Sequence, residues 1–223
     1  GVTGVQTCAL PIFVGIVEIA VGYTDGYLND PYKAVQRNES IFVPDGFGGF
    51  FEIPVVNLYR ENRPDSRFRQ VLQFGIRHYV EPAHGAIDGL LRFSYDDYGI
   101  LSQTARVEWR QEIGDHVEVI PFFRWYHQNE ADFFVNTLNN VDVGTPSADP
   151  DGSGPNYSAD YRLSSLTAIS GGVKVNYRIN DHFTASAAYE RYVMDGSGNR
   201  NDISPDAAYP SADIWTFSVH AAF

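Results

Sequence analysis

Apolar and polar residues alternate along most of the chain, and the final segment shows this pattern most clearly. Residues 211–223 place an apolar side chain at every second position and polar side chains between them. The apolar set is Trp215, Phe217, Val219, Ala221 and Phe223, and the polar set is Thr216, Ser218 and His220. Because successive side chains of a β-strand point to opposite faces, the segment is predicted to be a strand with one apolar and one polar face.

The same period of two predicts eight strands in all. Their expected bounds are 13–23, 67–79, 86–95, 100–111, 116–127, 163–178, 182–192 and 212–223. Most of them are about ten to twelve residues long, close to the roughly 9 to 11 residues that cross a bilayer at a tilt. We therefore predict an all-β fold, an antiparallel up-and-down transmembrane β-barrel of about eight strands.

The connections between these strands sort by length. Short turns are predicted at 81–85, 112–115 and 179–181, whereas the connections after the first, fifth and seventh strands are long and rich in Gly, Pro, Asn and Asp. The turn at 96–99 is the one short connection at the end of the strands that otherwise carries long loops. Outer-membrane barrels have short periplasmic turns and long external loops. Counted back from Phe223, whose end would face the periplasm, the short turns all fall on the periplasmic side.

Most charged residues of the predicted strands share one face. An arginine on the lipid face of a barrel costs about 2 to 4 kcal/mol at mid-bilayer, so this face is predicted to line the lumen. The predicted lumen-lining residues are Arg67, Arg69, Arg77, Asp88, Arg92, Arg106, Glu108, Arg110, Glu118, Arg124, Lys174, Arg178 and Glu190. Two interpretations stay open: an open lumen that favours anionic solutes, or a lattice of ion pairs that fills it.

Aromatic residues of the opposite face gather near the strand ends. The set expected at the outer interface is Tyr23, Tyr95, Trp125, Tyr189 and Trp215, and the set at the inner interface is Phe13, Trp109, Tyr177, Phe183 and Phe223. Such girdles are typical of membrane barrels, because aromatic rings with polar edges favour the interface between lipid and water.

Composition narrows the classes of function. The chain has 223 residues and a formal net charge of −12, with a pI near 4.8, which argues against a nucleic-acid partner. No apolar run approaches the roughly 18 residues of a membrane helix. The only cysteine is Cys8.

The first residues need separate treatment. Residues 2–12, VTGVQTCALPI, resemble the translation of a sequencing-library adapter. We expect residues 1–12 to be an artefact and residues 13–223 to be the C-terminal part of an N-terminally truncated barrel domain. A missing signal peptide therefore has no bearing on export.

Several short motifs run through nearly the whole chain after residue 12. They are GYLNDPYK at 26–33, NRPDSR at 62–67, SYDDYGI at 94–100, RWYHQNEADFF at 124–134 and ADYRLS within 158–164. In these motifs the chain resembles a bacterial family of outer-membrane β-barrels of unknown function. The resemblance implies a fold and a location in the Gram-negative outer membrane, not an activity. It departs from the family at Asp96, Asp97 and Tyr98, where relatives often carry a tryptophan.

The terminal strand carries a second resemblance. A strand that ends on an aromatic of the apolar face resembles the C-terminal strand by which outer-membrane proteins are recognised for insertion. The implied partners are the barrel-assembly machinery and outer-membrane lipid, with no nucleic acid.

The loops hold a set of charged residues that are candidates for a network. They are Asp30, Asp65, Asp96, Asp97, Asp132, Asp160 and Arg162. They are predicted to fasten the loops over the barrel mouth, since polar groups that enter a lumen need partners. The alternative is a carboxylate cluster that binds divalent cations or contacts anionic lipid.

One loop has the oxygen spacing of a calcium site. Its candidate metal ligands are Asp149, Asp151, Ser153 and Asp160, with Gly154 at the sixth position and no flanking helices. Loops rich in Gly, Asp, Pro and Ser give such matches by composition alone. We therefore expect no cofactor, and Ca²⁺ is the one ion that the sequence raises.

The sequence leaves the activity open. We predict a porin-like channel or a structural barrel. One alternative is a barrel enzyme with a site at the external rim, for which His127 beside Gln128, Asn129 and Glu130 is the best candidate. The other is a barrel whose long loops bind a ligand or a partner. The six histidines are scattered and none belongs to a recognisable serine motif, so no residue is assigned as catalytic.

Overall fold

The computed structural model describes residues 13–26, 28–139 and 141–222. The expected artefact at residues 1–12, with Cys8, lies outside the described residues. So do Tyr27 of the first motif and Phe223, on which the girdle and insertion-strand predictions partly depend.

All eight predicted strands are present, and they form one antiparallel sheet. Its strands are β1 (Phe13–Asp25), β4 (Ser66–Val80), β5 (Gly85–Asp96), β6 (Leu101–Ile113), β7 (Val117–Gln128), β8 (Leu166–Arg178), β9 (Phe183–Gly196) and β10 (Ser211–Ala221). Each strand pairs with its neighbour in the order β1-β4-β5-β6-β7-β8-β9-β10. The all-β antiparallel prediction is confirmed. β1 and β10 are the two edges, and the described residues do not pair them with each other, so closure into a barrel stays a prediction.

Two further strands form a separate hairpin that the sequence pattern did not predict. β2 (Ala34–Pro44) pairs with β3 (Phe50–Arg60), both within the connection between β1 and β4. Ile41, Phe42 and Val43 are consecutive apolar residues, so the period of two that identified the other strands is lost here. At the tip, Phe47 and Phe51 are exposed.

The start of β8 is also later than predicted. A short 3-10 helix occupies Tyr161–Leu163, where the Asp160 side chain accepts a hydrogen bond from the Arg162 backbone N–H, and the strand begins at Leu166. Among the described residues, no helix has the length and apolar character to span a membrane.

The predicted sorting of connections is present in the structure. The turns between β4 and β5, β6 and β7, and β8 and β9 are short and lie at one end of the sheet. The first of them contains a short 3-10 helix, Glu81–Ala83, which His84 ends in the left-handed conformation (φ 47°). The long connections emerge at the opposite end, together with the short turn between β5 and β6.

The connections at that opposite end pack together into one body, which we call the cap. It comprises the described residues of 26–33, 61–65, 97–100, 129–165 and 197–210. Backbone hydrogen bonds join these segments, among them Asn62 N–H to Tyr157 O (2.9 Å), Ala131 N–H to Leu163 O (2.8 Å) and Ser165 N–H to Asp202 O (2.8 Å). The main buried apolar clusters are in and beside the cap: one contains Tyr98, Ile100, Ala131, Phe134 and Leu163, and the other Val35, Leu138 and Tyr157.

Candidate functional site

The strand register places all the predicted lumen-lining residues on one face of the sheet, which we call the polar face. Arg77 of β4 lies directly opposite Asp88 of β5, and Asp88 lies opposite Glu108 of β6. The same face continues from Arg106 of β6 to Arg124 of β7, which lie opposite each other, and then through β8 to β9. The other face, which we call the apolar face, carries Ile19, Leu91 and Phe217.

Half of the polar face, on the side away from the cap, is crossed by a ladder of ion pairs. The Asp88 carboxylate accepts hydrogen bonds from Arg77 Nε at 2.5 Å and from Arg110 Nε at 2.7 Å. Glu108 pairs with Arg106 and lies 3.3 Å from Arg110 Nη2. Like charges directly opposite one another destabilise a sheet, and Asp88 and Glu108 are such a pair. The three arginines between and beside them offset that repulsion.

The ladder continues to both sides. Arg110 Nη1 lies 3.6 Å from Glu118, whose carboxylate accepts a hydrogen bond from Asn176 at 2.5 Å. At the β1 edge, Gln73 donates to Glu18 at 2.6 Å and accepts from Arg92 Nε at 2.9 Å. Glu18 was not predicted from the sequence, although its position in the alternation of β1 places it on the polar face.

Three cations of the polar face lie outside this ladder and have no carboxylate within ion-pair distance in the described part of the chain. They are Arg124, Lys174 and Arg178, whereas Arg67 and Arg69 pair with Asp96. Arg124 borders a cavity of about 130 Å³, and Lys174 borders a second one of about 340 Å³. The polar face therefore combines an ion-pair lattice with unpaired positive charge.

A second cluster of charges lies inside the cap, around Asp160. Its fully buried carboxylate accepts from Arg63 Nη2 at 2.6 Å and from Arg162 Nε at 2.8 Å, and Lys33 Nζ lies 3.8 Å away. Burial alone would raise the pKa of Asp160, but hydrogen bonds from Arg162 and Arg63 outweigh it and lower the pKa. The carboxylate is thus held ionised at neutral pH.

Glu61 is the second buried carboxylate of the cap, and sequence reasoning missed it. It accepts from the Asp30 backbone N–H at 2.5 Å, the Ser158 hydroxyl at 2.6 Å and Arg63 Nη2 at 2.9 Å. Arg63 Nε also lies 2.8 Å from it, at an angle that does not make a hydrogen bond. The only signal available was its position directly before the NRPDSR motif.

Asp30 and Arg162 extend the cluster towards the surface. Arg162 Nη2 lies 3.0 Å from the Asp30 carboxylate, and Tyr32 donates its backbone N–H to the same side chain. The Tyr32 hydrogen bond is the main cause that lowers the pKa of Asp30, and Arg162 adds to it. Asp30, Asp160 and Arg162 therefore lie together in one cluster, and their role in fastening the loops over a barrel mouth stays a prediction.

Asp96 organises a different part of the cap. Its carboxylate binds Arg67 and accepts backbone N–H groups from Tyr98 (3.2 Å) and Ile100 (3.1 Å), which fixes the turn between β5 and β6. The Arg67 guanidinium lies over the Tyr98 ring at 4.7 Å, and burial raises the pKa of Tyr98.

The remaining network candidates take part mainly through their backbones. The Asp65 carbonyl accepts from the Gly26 N–H at 2.8 Å, and the Asp97 N–H donates to the Phe68 carbonyl at 3.1 Å. The Asp132 N–H donates to the Tyr98 carbonyl, and its carboxylate lies against Gly99, which has φ +80°.

The four candidate calcium ligands are not arranged around one point. Asp149 is 95% exposed in its side chain, Asp151 accepts from the hydroxyl and backbone of Ser153, and Asp160 faces arginines. The described residues contain no group of three or more His, Cys, Asp or Glu side chains that could hold a metal ion. The calcium site stays a prediction, and its four predicted ligands do not form a coordination shell in the structure.

His127 lies at the apolar face, not in a polar cleft. Its Nδ1 is 3.0 Å from the Thr167 hydroxyl, and its ring stacks on Trp125 with centroids 6.0 Å apart. A nucleophile, a base and an orienting acid are not assembled around it. The enzyme alternative and the loop-binding alternative both stay predictions.

Comparisons with known proteins identify a family and nothing more specific. Neither the curated proteins nor the solved structures contain a match to this chain. A family model described as a protein of unknown function, DUF3570, matches residues 13–214. That match spans nearly all of the chain, including the hairpin, the cap and the sheet up to the start of β10, so the chain belongs to the DUF3570 family.

Proposed function

We propose that the chain forms the wall of a channel in the Gram-negative outer membrane, with the polar face lining the lumen and the apolar face against lipid. One observation carries this proposal. Over the eight described strands, the charged residues of the apolar face are Asp25, Arg191, Asp195 and Asp213, and all four lie at the cap end. The rest of that face forms an uncharged band.

The size of the band fits a bilayer. From Tyr23 to Phe13 the apolar face of β1 covers ten residue steps, about 33 Å along the strand. At the tilt typical of barrels this corresponds to roughly the 25 Å height of the apolar band of membrane barrels. Ile19 is 80% exposed and Phe217 74% exposed within it. Soluble monomers rarely expose contiguous apolar patches larger than a few hundred Å².

Aromatic side chains border the band at both ends. Tyr189 and Trp215 pack against each other, with ring centroids 4.8 Å apart, directly below Arg191 and Asp213. The other described members of the predicted girdles lie in register at the two ends of their strands, from Tyr23 and Tyr95 near the cap to Trp109 and Tyr177 near the short turns. This order supports an interface between lipid and water at each level.

The two sheet edges support a closed wall. β1 and β10 are 13 and 11 residues long and are mostly exposed. A long exposed edge is a site of aggregation, and closure into a barrel removes it. We propose that these edges are closed within a barrel, either against each other or through further strands.

The polar face supports a narrow lumen that favours anions. The side chains of the ladder from Arg77 to Glu118 would narrow the lumen. Because they are paired, they add little net charge to it. Arg124 and Lys174 then leave an excess of positive potential, and cationic side chains that line a pore favour anions. The cap lies at the end that the loop lengths assign to the outside, where it would restrict entry.

Two measurements test the proposal. The chain folded in detergent is expected to migrate differently on a gel before and after boiling, and identical migration would contradict a barrel. In planar bilayers we expect discrete conductance steps with a reversal potential that indicates anion preference. A folded, membrane-inserted protein that never opens a pore would contradict the channel and leave a structural barrel.

A further inference from the structure

We infer that the polar face carries a binding site for a small organic carboxylate, centred on Arg124. This inference rests on the proposed function in one respect, because the ligand would reach the site through the lumen. It goes further in naming the residues and the class of ligand.

The site is one transverse row of three neighbouring strands. Arg124 of β7 lies directly opposite Ser170 of β8, and Ser170 lies opposite Tyr192 of β9. These residues line a cavity of about 130 Å³ together with Tyr126, Ala168 and Met194.

The row presents hydrogen-bond donors that lack acceptors. The Arg124 guanidinium and the hydroxyls of Ser170 and Tyr192 make no side-chain hydrogen bond to any described residue. Ser170 is only 3% exposed. Arg124 is exposed and Tyr192 is half-buried, so solvent reaches the row. An anionic oxygen that enters the cavity would find three donors that no described residue occupies.

The neighbouring charge makes an anion favourable at this point. Arg106 lies directly opposite Arg124 on the other side, and like charges in that position repel. Arg106 is paired with Glu108, and its guanidinium lies over the Phe122 ring at 5.9 Å, whereas Arg124 has no carboxylate partner among the described residues. A bound anion would offset the repulsion.

The surroundings select a monovalent carboxylate. Glu190 lies two residues from Tyr192 on the same face of β9, and its negative charge disfavours a dianion. The planar guanidinium matches a carboxylate through two parallel hydrogen bonds. Ala168, Met194 and the Tyr126 ring form the apolar wall for the organic part, while the Tyr126 hydroxyl is occupied by Gln128 at 2.5 Å.

Saturation-transfer difference NMR with sodium acetate tests this site on the chain folded in detergent. We expect saturation of the acetate methyl group with the unchanged protein and binding about tenfold weaker with Arg124→Gln, since one charge-assisted pair is lost. Arg92→Gln is the matched control, because Arg92 is another polar-face arginine whose described partner is Gln73. Arg124→Lys is expected to bind at an intermediate level, because it keeps the charge and loses the planar fork.

Three results would overturn the site: no saturation with the unchanged protein, equal saturation in Arg124→Gln, or inorganic phosphate that binds more tightly than acetate. Circular dichroism spectra of the variants are compared with that of the unchanged protein. Matching spectra show that weaker binding does not come from a folding defect. The conductance measurement separates this inference from the channel. Acetate saturation without conductance removes the channel and supports the site, and conductance without acetate saturation does the reverse.

Discussion

In the cap, large apolar side chains such as Leu138 and Tyr98 are buried, whereas in the sheet Ile19 and Phe217, of comparable size, are largely exposed. The charges differ in the opposite sense. Asp160 and Glu61 are fully buried in the cap, whereas Arg77 of the polar face keeps 62% of its side chain exposed. The cap is organised like the interior of a soluble protein, and the sheet has its apolar surface on the outside.

Under the proposed function, this difference means that two solvents act on one chain. A cap stabilised by apolar clusters and partnered carboxylates keeps its structure in water. A sheet with an exposed apolar face gains nothing from water on that face, and in the proposed function lipid covers it. Substitutions in the two regions should therefore respond to different changes of environment.

Removal of Asp160 is expected to have the largest effect, and it should be confined to the cap. Asp160→Ala removes the buried carboxylate that Arg63, Arg162 and Lys33 share, so that Arg63 keeps only Glu61. Loss of one member of a buried ion pair costs about 3 to 5 kcal/mol. We expect the Ala131 amide, which donates to the Leu163 carbonyl within the cap, and the Leu138 amide, which donates from the cap to Gln36 of β2, to exchange with deuterium much faster.

Asp149→Asn is the matched control for this substitution. Asp149 belongs to the same loop, and its carboxylate is 95% exposed, 3.5 Å from Arg60. Exposed ion pairs contribute about 0 to 1 kcal/mol, so exchange in the cap should hardly change. If amides of β5 and β6 exchanged as fast as those of the cap in Asp160→Ala, the two regions would form a single cooperative unit and the comparison would fail.

The second prediction concerns two adjacent leucines on opposite faces of β5. Leu91 lies on the apolar face opposite Phe74, and Leu90 lies on the polar face opposite Gly75. In a bilayer, Leu91→Arg should cost about 2 to 4 kcal/mol. Leu90→Arg should cost less, because its guanidinium would lie on the polar face, where Asp88 and Glu108 offset the repulsion from Arg106 directly opposite. Folding into lipid vesicles at increasing urea measures both.

Similar losses for the two variants would contradict an outer face against lipid. The same two variants are also measured in detergent without lipid. There the difference between their stability losses should be smaller, because a micelle adapts around a charge more readily than a bilayer does.

The sequence was sufficient for the sheet because each strand there has two different faces. Alternation in residues such as Val107 and Glu108 predicts both the strand and the face. It failed for the hairpin, since Ile41 to Val43 are apolar without interruption. In the cap, motif residues predicted that Asp160 and Arg162 belong together. Glu61 was missed because its partners Ser158 and the Asp30 N–H come from distant segments, and no local pattern encodes contacts across about 30 or 100 residues.

Acid should open the cap before the sheet. The folded-state pKa of Asp160 is lowered, so its contribution to stability is present above the unfolded pKa of about 3.9 and is lost as the pH falls through the folded value. The Asp30 pKa shifts in the same direction. The effect should be smaller than that of Asp160→Ala, because a protonated carboxyl still fills its site. Limited pepsin digestion between pH 5 and about 2 measures it.

Cleavage within 129–165 is expected to increase as the pH falls, while the strands stay resistant. Asp160→Asn should show little further response to acid, since it no longer titrates at this position. An increase in cleavage that is the same in Asp160→Asn would assign the acid response to other groups.

The smallest expected effect is that of Tyr98→Phe in the turn between β5 and β6. The Tyr98 hydroxyl donates to the Pro64 carbonyl at 3.2 Å, and Arg67 lies over its ring. Phenylalanine keeps the ring, the burial and the cation–π contact and loses one hydrogen bond, so the cost should be about 0.5 to 1.5 kcal/mol. The Asp132 amide, which donates to the Tyr98 carbonyl, reports it by hydrogen exchange. Tyr95→Phe should leave that amide unchanged, because the Tyr95 side chain is exposed on the apolar face and its hydroxyl makes no hydrogen bond to a described residue of the cap. If both substitutions changed the exchange of the Asp132 amide equally, the hydroxyl of Tyr98 in the cap would contribute no more to stability than that of Tyr95 in the sheet.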